Sequence, residues 1–135
     1  YVNLHVKDVR RSIKFFTDLG FEFDPRFTDE DKAACLVIGD NIYAMLLQEE
    51  YFKSFTKREV VDTDKCAQLT MALAADSREK VDEIVRNALA AGGTSYTDPE
   101  DHGFMYQWGF RDPDGHIWEI AYMDMSVFEQ GQGQE

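Results

Sequence analysis

A chain of 135 residues with 44% hydrophobic and 13% aromatic content is long enough to bury one core and short for two independent ones. Its formal charge of −12 argues against nucleic acid or an anionic membrane as partner, which would need clustered Lys and Arg, and suits a solvated acidic surface or a cationic ligand. No apolar run approaches the roughly 18 residues that span a bilayer and there is no signal-peptide pattern. Cys35 and Cys66 have neither disulfide-framework nor zinc spacing, so the chain reads as a soluble protein of a reducing cytoplasm.

The first segment, "VNLHVKD", reads as a strand ending at Asp8. Tyr1 already lies inside this strand-like run, which points to a short segment preceding it. Asp8 caps a predicted helix that carries Val9, Ile13, Phe16 and Leu19 on neighbouring faces and stops at Gly20. Three strands follow: "FEFDPRF" alternates, and "AACLVI" and "IYAMLL" are joined by the turn Gly39-Asp40-Asn41, a hairpin signal. The connector from Glu50 to Lys65 is polar except for Tyr51, Phe52, Phe55 and the Val60-Val61 pair. Its aromatic spacing predicts a short helix packed on the sheet, patching the core or serving as a lid over a pocket. "AQLTMALAA" then leads into Asp76, with Glu79 completing a capping box, and into a helix with Val81, Ile84, Val85, Ala88 and Leu89 on one face, stopped by Gly92-Gly93. "TSYTD", "FMYQWGF" and "HIWEIAYM" are predicted as three more strands, and "QGQGQE" at the end as a disordered tail. The order βαβββ thus occurs twice, which places the chain in the α+β class.

Within "FRDPDGHIWEI", Asp112, Pro113, Asp114 and Gly115 form a predicted turn. Alternation in the strand after it puts His116, Trp118, Ile120 and Tyr122 on one face and Ile117, Glu119 and Ala121 on the other. One carboxylate therefore interrupts an apolar face, where it would need a metal, a donor or water.

The tandem repeat, with "VKDVRRSIKFFTDLGF" near its start and "GFRDPDGHIWEI" near its end, resembles the vicinal oxygen chelate superfamily of lactoylglutathione lyase (glyoxalase I), bleomycin resistance proteins and extradiol dioxygenases. The resemblance implies one glyoxalase-like domain over residues 1–124, with modules 1–48 and 67–124 around a connector 49–66 and a tail 125–135. It also implies modules whose strands curl into half-barrels as one mixed sheet, enclosing a cavity, often across a homodimer. In metal-dependent members a Glu four residues past the Gly of the turn ligates the ion, and Glu119 stands there. The other ligand positions fall on Tyr1, on a fourth strand with no carboxylate or imidazole between Ile42 and Leu47, and on Thr70. A phenol and a hydroxyl are poor partners for a divalent ion at neutral pH. His5 shares the parity of Tyr1 but lies about 13 Å along the strand. Leu69, Met71 and Leu73 share one face of their strand, leaving Gln68, Thr70, Ala72 and Ala74 on the other. The family register puts Met105, Gln107 and Gly109 on the inward side.

These positions imply a partly apolar pocket anchored by Glu119, Thr70, Gln107 and His5, with Tyr1 also lining it. The expected function is the binding of a small, partly apolar or cationic molecule by a homodimer with a degenerate metal site and no cofactor. The alternative is a lactoylglutathione lyase-like or dioxygenase-like enzyme in which Glu119 acts on a substrate held by a Ni, Zn, Mn or Fe ion.

Overall fold

The structure, a computed structural model, describes residues 1–126; the stretch 130–135, predicted as a disordered tail, lies outside them. Strand β1 (Val2–Val6) leads into helix α1 (Val9–Asp18), whose N-cap Asp8 accepts hydrogen bonds from the amides of Arg10 and Arg11. Gly20, at φ 96°, ends it in the left-handed conformation that a glycine reaches without strain. After β2 (Glu22–Phe23), β3 (Ala33–Gly39) and β4 (Ile42–Gln48) form the expected hairpin, and β4 runs straight into helix α2 (Glu49–Thr56). The second half repeats the plan with β5 (Thr70–Ala74), α3 (Arg78–Ala90), β6 (Glu100–Asp101), β7 (Met105–Arg111) and β8 (Ile117–Met123). Each half makes one four-stranded mixed sheet, in the orders β1-β4-β3-β2 and β5-β8-β7-β6, with the first and last strands of each half parallel. Neither sheet closes into a barrel.

Three local readings are corrected. "FEFDPRF" is strand only at Glu22–Phe23, because Asp24 caps a 3₁₀ turn over Pro25–Phe27 and the proline has no amide for the ladder. "TSYTD" contributes a single bridge between Thr94 and Arg111, and the paired edge strand falls past Pro99 at Glu100–Asp101. The cap of α3 is Ser77, whose hydroxyl accepts from the Lys80 amide, one residue beyond Asp76.

One apolar core spans both halves. Phe15 and Phe16 of α1 meet Phe110 at 5.8 Å and Trp118 at 4.9 Å between ring centres, and Leu4, Leu46, Val81, Val85 and Ile120 are fully buried in the same cluster. The turn after β7 is the polar counterpart of that seam. Asp112, 4% exposed, accepts from the amides of Asp114 and His116 and from the indole N–H of Trp118. Burial pushes its carboxyl above the ordinary range, and His116 and the Trp118 donor act against that rise. Asp114 reaches across to the first half, accepting from the Lys7 amide at 2.8 Å, the Arg11 guanidinium at 3.1 Å and the Ser12 hydroxyl at 3.4 Å. The short Asp-Pro-Asp-Gly sequence therefore acts as a polar clasp between the modules.

Candidate functional site

The side of each sheet that faces α1 and α3 is filled by the core, so the opposite sides are where a ligand could be received. On the first sheet that side carries Asn3, Met45 and Leu47, brought level because Asn3 pairs with Met45 and His5 with Leu47. Helix α2 packs over β1 and β4. It is started by Gln48, whose side-chain oxygen accepts from the amides of Glu50 and Tyr51, and is ended by Lys57 in a left-handed conformation at φ 58°. Between sheet and helix lies a cavity of about 690 Å³, floored by Ala33, Met45 and Leu47 and walled by Tyr51, Phe52 and Phe55. Arg26, Asp29 and Lys32 from the β2–β3 loop also line it. Arg26 is engaged by Asp24 at 2.8 Å and its guanidinium lies over Phe27, while the Lys32 ammonium sits 6.0 Å from the centre of the Tyr51 ring.

The outer side of the second sheet holds Glu119, but in a much smaller hollow of about 90 Å³ that Tyr96, Thr97, Asp98, Glu100, Gln107 and Trp108 also line. Glu119 pairs with Ala72 on one neighbouring strand and with Gly109 on the other. Tyr96 limits the space. A Cβ built on Gly109 would come within 2.5 Å of its hydroxyl and 2.6 Å of the Trp118 carbonyl, so the missing side chain is what seats the phenol. Arg111 stacks on the Tyr96 ring at 5.5 Å, and burial, with Glu119 nearby, holds the phenol above its ordinary pKa and hence neutral. Gly109→Ala is expected to destabilise the protein by about 1–3 kcal/mol, because a backbone carbonyl cannot yield as a flexible side chain can. Denaturant unfolding checks this, and an unchanged midpoint would contradict the seating of Tyr96.

The residues singled out from sequence are thus divided. Glu119 and Gln107 share the small hollow, and Thr70 lies exposed on the same strand face as Ala72 and Ala74. Tyr1 precedes β1 at the first sheet, 76% exposed and stacked on Tyr43 at 5.1 Å. His5 is 1% exposed and meets Phe52, His116 and Glu49, with no part in either lining. Asn3, Met45, Lys32 and Tyr96 line these hollows as well. Asn3 and Met45 were legible through strand parity, whereas Lys32 and Tyr96 come from loops whose course periodicity does not give.

Tandem βαβββ halves clasped by an Asp-Pro-Asp-Gly turn, each with a hollow on the side of its sheet away from α1 or α3, define a glyoxalase-type protein. The chain belongs to the Glyoxalase/Bleomycin resistance protein/Dioxygenase superfamily, whose family model matches residues 1–120. Among solved structures it is similar to a hypothetical protein from S. aureus, with TM-score 0.78 and 24% identity over 90% of this chain and 91% of that one. It is also similar to a glyoxalase/bleomycin resistance protein/dioxygenase family enzyme from Burkholderia phytofirmans, with TM-score 0.76 and 20% identity over 91% and 96%. A lactoylglutathione lyase from Agrobacterium tumefaciens matches with TM-score 0.64 and 15% identity over 92% of each chain. At these identities the likeness establishes the fold alone. No curated protein matches the sequence significantly.

Proposed function

We propose that this chain is a small-molecule-binding member of the superfamily, with its ligand held between the first sheet and α2 and with a metal site that has lost its ligands. The carrying observation is the cavity of about 690 Å³ with a floor of Ala33, Met45 and Leu47 and a wall of aromatic rings. Small-molecule sites have this size and this make-up, apolar with a few polar anchors. Of the two ligand types compatible with the sequence, the lining favours the apolar one, because Arg26 and Lys32 already lie over the rings of Phe27 and Tyr51 and would repel a second cation there.

The donor set does not fit a divalent ion. The family positions carry an exposed phenol at Tyr1, a hydroxyl at Thr70 and one carboxylate at Glu119, and the strand that should supply another carboxylate points Met45 and Leu47 into the cavity. Among the described residues, no cluster of three or more His, Cys, Asp or Glu side chains is placed to hold a metal. A single carboxylate binds such an ion weakly.

The outer face of the second sheet, with Thr70, Ala72, Ala74 and Met123 exposed, is the surface a second copy would cover, and the protein is read as a homodimer. Among the described residues no helix is long and apolar enough to cross a membrane, and both cysteines are free thiols, in keeping with a reducing cytoplasm.

A thermal-shift screen tests the proposal, since a ligand of the native state raises the melting temperature. Apolar aromatic compounds are expected to stabilise the protein more than aromatic cations or glutathione thioethers. Protein exposed to Ni²⁺, Zn²⁺, Mn²⁺ or Fe²⁺ and then desalted is expected to retain well under one ion per chain. Near-stoichiometric retention, together with stabilisation by glutathione thioethers, would instead support a lyase using Glu119.

A further inference from the structure

Directly under α2 the two halves of the protein bring two histidines together. His5 and His116 are 1% and 2% exposed, and their rings stand edge to face with centres 4.9 Å apart. His116 Nε2 donates to the His5 backbone carbonyl at 2.6 Å, which leaves His116 Nδ1 and both ring nitrogens of His5 without a hydrogen-bond partner. Buried polar groups are almost always paired, and three orphaned nitrogens in one spot are a stored cost. The cover on His5 comes from α2: Phe52 packs edge-on at 5.5 Å, and the Glu49 carboxylate lies 3.7 Å from His5 Nδ1, too far for a hydrogen bond.

We propose that His5 is a proton-sensitive latch for α2, so that protonating it lifts the helix from the first sheet and removes the aromatic wall of the cavity. Three titratable groups face the ring. His116, just before β8, would repel an imidazolium, whereas Glu49 on α2 and Asp114 on the clasp would attract one, Asp114 being already engaged by Arg11. Burial outweighs them and, with His116, holds the His5 imidazole below its ordinary 6.5. The closed form therefore binds fewer protons than an open one in which water reaches the ring. Its stability is fully present above pH 6.5 and falls as the pH drops below that value. Helix α2 is the element that yields. It has no fully buried residue of its own, while β1 and the start of β8 are anchored in the core by Leu4, Val6 and Trp118.

Hydrogen exchange read by mass spectrometry, corrected for intrinsic rates, tests the latch without any ligand. Between pH 7.5 and 5.5 the protection of residues 49–56 is expected to fall by up to about tenfold, the ceiling set by an exposed imidazole with pKa near 6.5. Protection of α3 should not change. His5→Phe keeps the ring packing and should abolish the pH dependence. Should that variant fold poorly, the His5 ring resonances of the wild-type protein provide the check, and they should titrate below 6.5. Protection of α2 that is independent of pH, that falls together with α3, or that falls equally in His5→Phe would overturn the proposal, as would a His5 titrating at or above 6.5. Release of a ligand on acidification rests in addition on the proposed site, so a failed ligand screen and a failed latch are separable results.

Discussion

Asp112→Ala is expected to cost the fold about 3–5 kcal/mol. The carboxylate is 4% exposed and accepts from the Asp114 amide, the His116 amide and the Trp118 indole, so its removal strands three donors in a space closed to water. Each stranded donor costs about 1–3 kcal/mol. Loss of the turn also frees Asp114 from the position in which it accepts from Lys7, Arg11 and Ser12 of the first half, so the effect crosses the seam. Thermal unfolding should show the midpoint lowered by roughly 10–20 °C. A shift of only a degree or two would mean that the apolar seam around Phe16 and Trp118 holds the halves together without the clasp.

Met45→Asp is expected to weaken ligand binding by about 100-fold while leaving the fold intact. Met45 is half-buried on the floor of the cavity, open to solvent when no ligand is present, so a carboxylate there is hydrated in the free protein. An apolar ligand would bury that charge without a partner at a cost of a few kcal/mol, and about 2.7 kcal/mol corresponds to 100-fold in affinity. Calorimetric titration of the best compound from the thermal-shift screen measures this directly. Glu119→Gln, which alters the hollow on the other sheet, is expected to leave the same affinity unchanged. Equal affinity in Met45→Asp, or a loss in Glu119→Gln, would move the site to the second sheet.

What was legible in the sequence followed periodicity. Alternation separated Leu69, Met71 and Leu73 from Thr70, Ala72 and Ala74, faces that prove to be the core side and the open side, and it set Glu119 opposite Trp118 and Ile120. Caps and turns were legible where one residue type has one use, as with Asp8 and Gly115. The hollows were not, because a cavity is made by what covers a sheet. Helix α2 covers the first sheet through a connector whose aromatic spacing suited core patching as well as a lid, and Tyr96 fills the second through a segment that alternation marked as strand. His5 shows the same limit. Parity put it on the ligand-facing side, yet Phe52 and His116 close over it, and neither neighbour follows from the local pattern of β1.

The most direct test is a crystal structure of the protein with the most stabilising apolar compound of the screen. The ligand should lie between Met45 and Leu47 of the first sheet and Phe52 of α2, with no metal in contact with it. A ligand seated against Glu119, or bound through an ion that Glu119 holds, would contradict the assignment.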